Sequence, residues 1–168
     1  MKNYFGAALA LALTAGSVPV SAQSALDQAV EADYDTTLEA LFLDFHRHPE
    51  LSFKESRTAS IIADQLRATG AEVTTGIGKM GVVGIMKNGA GPTVLIRADM
   101  DGLPLAEDSG LVYSSSVKQV DIDGVEKPVM HACGHDTHIT SLIGTARRLA
   151  AMKDEWRGTI IFVAQPAE

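Results

Sequence analysis

Two apolar runs without polar alternation, TVLIRAD at 93–99 and TIIFVAQ at 159–165, constrain this chain more than anything else in it. A strand with one wet face alternates apolar and polar residues, whereas a strand covered on both faces does not. TVLIRAD is therefore expected to be a central strand buried on both faces, and TIIFVAQ a second buried strand. AEVTTGI and GVVGIMK are further short runs rich in β-branched residues, separated by Gly, Pro or Asn.

Helical spacing flanks the strands. Leu38, Leu41, Phe42 and Phe45 follow the i, i+3, i+4, i+7 pattern up to Pro49, which cannot continue a helix. Ser52 and Glu55 fit a capping box ahead of a stripe of Ala59, Ile62, Ala63 and Leu66, with Gly70 at the C-terminal cap position. A third helix carries Ile139, Leu142, Ile143, Ala146 and Ala150 inward, with Asp136 as its N-cap. The polar stretch from Leu103 to Met130 is irregular, and Asp123 and Gly124 within it suit a hairpin turn. Helix, helix, strands, helix, strand predicts an α/β layered fold with a mixed sheet.

The 168 residues suffice for one domain with a real core, and 46% hydrophobic residues against 21% charged excludes a disordered or fibrous chain. A formal charge of -7 with no basic run argues against a nucleic-acid partner. Lys2, the apolar run from Phe5 to Thr14 and the small residues Val20, Ser21 and Ala22 read as a signal peptide over 1–22, cleaved after Ala22. That run is well short of the roughly 20 residues needed to span a bilayer, so no stable membrane anchor is expected. A secreted or periplasmic location follows as an expectation. In such a compartment the single cysteine, Cys133, has no partner in the chain for a disulfide, so its thiol needs another explanation.

Three polar clusters fall where apolar strands end: RADMDG at 97–102, MHACGHDTH at 130–138 and QPAE at 165–168. Ligands of open α/β sheets gather beyond the carboxyl ends of strands, so the clusters are expected to converge. Cys133 and His135 are two apart, and in an extended segment both would project to one side as a thiolate and imidazole pair for zinc or a similar ion. Asp99 and Asp101 would leave their strand on a common side, where one carboxylate can orient a metal-bound imidazole or bind metal itself. Glu168 would emerge at the same edge and take a proton from water. His46 is read as a cation favoured at a helix end by the dipole.

At these residues the chain closely resembles the aminoacylase family of co-catalytic metallopeptidases, in the branch with hippurate hydrolases and plant auxin-conjugate amidohydrolases. HRHPELSFKE, VLIRADMDGLPL, MHACGHDTHITSLIGTARRLA and GTIIFVAQPAE carry the resemblance, in family order and at family-like spacing. It implies a layered zinc-exopeptidase-like catalytic domain with a mixed, mostly parallel sheet, of which residues 23–168 are the N-terminal part. Cys133 and His135 match the family's metal ligands, Asp101 the aspartate that supports the metal site, and Glu168 the general base that activates water. A second glutamate, a metal ligand, would come next in the family's pattern. Later histidine ligands and an inserted lid or dimerisation domain would follow it. With two protein ligands instead of the usual three, the chain as it stands is expected to bind metal weakly and to be inactive.

The implied reaction is hydrolysis of the amide bond of an N-acyl amino acid or short peptide. The implied cofactors are two divalent ions per complete site, chosen from Zn, Mn, Ni or Co. The resemblance also leaves room for a homodimer of the full-length enzyme. Two rival readings stand beside this one. A haloacid-dehalogenase-type phosphatase would use Asp99 as nucleophile and Asp101 as its acid-base partner. A non-catalytic metal-binding module would use Cys133 and His135, with His131 or His138.

Overall fold

The computed structural model describes residues 24–168. The signal-peptide reading of residues 1–22 lies outside them. Helix α1 (Ala25–Asp33) opens with a capping box between Ser24 and Asp27 and runs through a π-helical turn (Tyr34–Leu38) into α2 (Glu39–Arg47). Sequence periodicity does not reveal α1, because it is short and mostly exposed. Asp33 at its end is buried and paired with Arg147 of the later helix at 2.6 Å, which ties the two helices together.

Helix α3 (Ser56–Ala68) buries Ala59, Ile62, Ala63 and Leu66, the stripe its spacing predicts. Its expected capping box does not form. Phe53 adopts φ 61°, a turn that carries Ser52 away from the helix start. The cap is supplied instead by Glu50, whose carboxylate accepts the N–H groups of Arg57 at 3.1 Å and Thr58 at 2.7 Å. Ser52 and Glu55 are thereby freed for contacts elsewhere.

Strands β1 (Glu72–Ile77), β2 (Gly81–Asn88), β3 (Thr93–Asp99) and β6 (Gly158–Gln165) form one mixed sheet in the order β1-β2-β6-β3. The β1–β2 and β2–β6 ladders are antiparallel and β3–β6 is parallel. β4 (Lys118–Val120) and β5 (Glu126–Pro128) make a separate hairpin, whose turn is held by Asp121 Oδ1 accepting the N–H groups of Asp123 and Val125. β3 and β6 begin together at a tight approach. The Thr159 N–H donates to the Pro92 carbonyl at 2.9 Å, and a Cβ at Gly158, whose φ is 121°, would overlap that same oxygen.

TVLIRAD is not the central strand its composition predicts. Among the described residues β3 sits at the edge, paired with β6 alone, and Leu95 is 59% exposed. Partners are chosen by long-range pairing, so apolar content on both faces cannot tell a central strand from an edge strand whose second face is merely uncovered. One face of the sheet is sealed by α2, α3 and α4 (His135–Ala151) through a core of Phe45, Ile62, Leu66, Val82, Met86, Ile139, Ile143 and Phe162. Each such side chain contributes about 1.5–3 kcal/mol through removal from water. On the opposite face the register aligns Ile85, Ile161 and Leu95 in one row and Val83, Val163 and Arg97 in the next.

Candidate functional site

The parallel pairing of β3 with β6 sets Asp99 beside Gln165, and the Met100 N–H extends the ladder to the Gln165 carbonyl at 3.0 Å. Both chains then leave the sheet at one edge, Met100–Gly102 from β3 and Pro166–Glu168 from β6. The start of α4 arrives there as well. The three polar clusters do converge.

The segment before α4 is a turn and not the extended stretch expected. Gly134 has φ 78°, a left-handed value that glycine takes at little cost, and the turn sends Cys133 to the surface while His135 is buried as the first residue of α4. Asp136 is not the N-cap. It lies in the first turn of the helix, where the dipole favours its charge, and its Oδ1 accepts the Thr137 N–H at 2.8 Å.

His135 Nδ1 lies 2.8 Å from the Asp101 carbonyl oxygen. A carbonyl can only accept, so Nδ1 carries the proton and donates, and in the neutral ring Nε2 is left with its lone pair free. That Nε2 is 3.1 Å from Glu168 Oε2. A lone pair facing a carboxylate oxygen is unfavourable unless a proton or a cation lies between them.

The rest of the donor set agrees. Asp99, His135 and His138 each offer one ligand atom, all within 4.8 Å of one another. Asp99 is buried, with Oδ2 accepting from Arg97 Nη2 at 2.8 Å and Oδ1 without a partner. An orphaned carboxylate oxygen beside two imidazoles fits a divalent ion.

Asp101 works behind the gathered atoms. Its Oδ2 accepts the Ser52 hydroxyl at 2.6 Å, and its Oδ1 lies 3.4 Å from the Glu168 backbone nitrogen and 3.3 Å from His135 Nδ1. Arg97 donates to Gln165 at 2.7 Å and reaches Glu168 Oε1 at 3.5 Å. It partly offsets the acidic groups crowded at this edge.

Of the residues singled out from sequence, the structure brings Asp101, His135 and Glu168 together, while the Cys133 sulfur is not among the atoms that gather. Asp99 and His138, each named from sequence as a possible metal binder, stand beside them. A signal for His138 was present: it stands three residues after His135, and residues three apart share one face of a helix. Asp99 is marked by its place at the end of an apolar strand, while its setting opposite Gln165 comes from strand pairing.

His46 does more than sit at the end of α2. Its Nδ1 is 2.7 Å from Asp136 Oδ2 and its Nε2 is 3.1 Å from Glu107 Oε1, and Tyr113 packs edge-on against the ring. Burial lowers its pKa, yet the hydrogen bonds and charges of Asp136 and Glu107 raise it overall. His131 has neither ring nitrogen partnered. Burial pushes its pKa down to about 4, with the charges of His135 and His46 acting the same way and those of Asp136 and Asp101 opposing.

Residues 95–168 match the model of Peptidase family M20/M25/M40. Thermostable carboxypeptidase 2 of Saccharolobus solfataricus is 46% identical over 125 residues, covering 73% of this chain and 30% of that protein. Hippurate hydrolase of Campylobacter jejuni is 41% identical over 137 residues, covering 81% of this chain and 33% of that protein. A solved Bacillus subtilis structure, described as a dinuclear metal binding peptidase from the M20 family, superposes with a TM-score of 0.70 at 38% identity. It shares 84% of this chain and 36% of its own. The chain thus spans about a third of the length of the curated relatives it matches.

Proposed function

We propose, from the match of residues 95–168 to the model of peptidase family M20/M25/M40, that the chain is the N-terminal catalytic part of a metal-dependent amidohydrolase. Its substrate is an N-acyl amino acid or a short peptide, a reading supported by similarity to a hippurate hydrolase, an N-acetylcysteine deacetylase and a carboxypeptidase. The observation that carries the reading is the free Nε2 of His135 facing the Glu168 carboxylate, with Asp99 and His138 in reach.

Asp99, His135 and His138 would hold a divalent ion, zinc, manganese, nickel or cobalt, with Cys133 added by the family resemblance. When bound, the ion supplies Lewis acidity toward the amide carbonyl and makes water more acidic. The chain's own residues do the rest. The Glu168 carboxylate takes the proton of the attacking water and returns it to the leaving amine. Asp101 acts through its carbonyl, fixing the tautomer and direction of the His135 ring. Ser52 steadies the Asp101 carboxylate.

The phosphatase reading lacks support, since Asp99 and Asp101 are engaged with Arg97, Ser52 and the His135 cluster and the matching family is a peptidase family. Export to the periplasm or exterior, with the leader ending at Ala22, belongs to the same proposal, as does pairing of two copies of the complete protein. Among the described residues no helix is long and apolar enough to cross a membrane.

The test is hydrolysis of an N-acyl amino acid by a longer chain carrying these residues, supplied with each ion in turn. Glu168→Gln is expected to lower kcat by about a thousandfold while metal content is kept. Unchanged turnover in that variant would end the proposal.

A further inference from the structure

Glu55 has no part in the chemistry above, yet it is fully buried and reaches 112 residues along the chain. Its Oε1 accepts the Ala167 N–H at 2.9 Å, while Oε2 has no partner. A buried carboxyl group with an unmet oxygen is costly, and an apolar side chain of similar size would remove that cost. Its presence calls for a compensating use. Burial raises the pKa of Glu55, helped by the nearby charge of Asp101 and opposed by backbone hydrogen bonds that include the one from Ala167.

The partner of Glu55 is as unusual as its burial. Ala167 adopts φ 51°, in the left-handed region that an L side chain disfavours. It lies between Pro166 and Glu168, so its backbone sets the direction in which the Glu168 side chain leaves β6. Only an external hold keeps such a residue from relaxing to an ordinary conformation, and a relaxed Ala167 would swing the Glu168 carboxylate away from His135.

We propose that Glu55 is a positioning residue that, by accepting the Ala167 N–H, locks the turn after β6 and holds the Glu168 carboxylate beside His135. This deepens the reading of Glu168 as general base and rests on it. Ser52, three residues earlier, holds Asp101 by donating its hydroxyl to the carboxylate. The short loop between α2 and α3 thus braces two of the groups at the site.

Two variants test the assignment. Glu55→Gln keeps an oxygen that can accept the Ala167 N–H, whereas Glu55→Met fills the space without one. Hydrogen exchange in the 168-residue chain reads the contact as the protection of the Ala167 amide relative to the β6 amides. Glu55→Met is expected to lower that ratio by about tenfold or more, and Glu55→Gln to keep it within about twofold. An unchanged ratio in Glu55→Met, or an equal fall in both variants, overturns the proposal.

In a longer, active chain the same pair separates positioning from general stability. Glu55→Met is expected to lower kcat by about a hundredfold at unchanged KM, with Glu55→Gln restoring most of it. Equal losses in both variants, or a loss confined to KM, overturn the role. If the exchange result holds while the unsubstituted longer chain hydrolyses no N-acyl amino acid, the proposed function fails and the Glu55 contact stands.

Discussion

The strands supply apolar residues to both faces of the sheet, yet only one face is sealed. On the helix side Val82, Met86, Ala98, Phe162 and Ala164 are at most 3% exposed. On the other side Val83, Ile85, Ile161 and Val163 are half-buried, and Leu95 stands mostly in water. Hydrophobic pattern reports what a strand is suited to bury. It does not report what is laid over that strand.

The contrast breaks most visibly at neighbouring positions of β6. Phe162→Ala opens a cavity on the sealed face and is expected to cost about 3–5 kcal/mol in denaturant unfolding. Ile161→Ala, facing the other way, is expected to cost less than half as much, and equal losses would erase the distinction between the faces.

Acid probes the buried ring of His131 beside the site next. The folded pKa of His131 is about 4, below the ordinary 6.5, so between those values the unfolded chain binds a proton that the folded chain refuses. Stability of the metal-free chain is expected to fall as pH drops from about 6.5 to about 4, by up to roughly 3 kcal/mol. Below that range this ring adds nothing further. His131→Gln should flatten the slope, and an identical slope in the variant would assign it to other groups.

The smallest effect lies on the open face. Leu95→Ser is expected to change unfolding free energy by less than about 0.5 kcal/mol. It should instead reduce self-association in sedimentation, because an uncovered edge strand with apolar side chains is a template for pairing.

Much of the fold was legible because it is periodic. The stripe of α3 and the inner face of α4 were read from spacing alone, and β1, β2, β3 and β6 were located by their β-branched runs. What failed did so where one local pattern serves two purposes. Ser52 and Glu55 match a capping box, but a positive φ at Phe53 diverts both toward the site and leaves the cap to Glu50. Cys133 and His135 share a side only if the chain is extended, and Gly134 makes it turn. Asp101, His135 and Glu168 were legible as strand-end and helix-start polar residues. So was Asp99 as a possible metal-binding carboxylate, but its setting opposite Gln165 and the Glu55 to Ala167 contact were not, because each depends on pairing between segments far apart in sequence.

The close approach at Gly158 lies at the far end of β6 from Glu168, and it acts as the zero mark of a ruler. From the Pro92 to Thr159 bond the two strands advance in step until Asp99 meets Gln165. A slip of one residue would turn Asp99 to the opposite face and pull its carboxylate out of reach of both imidazoles. One residue inserted between Pro92 and Thr93, a strand's length from any reacting atom, would therefore dismantle the site as thoroughly as deleting a ligand.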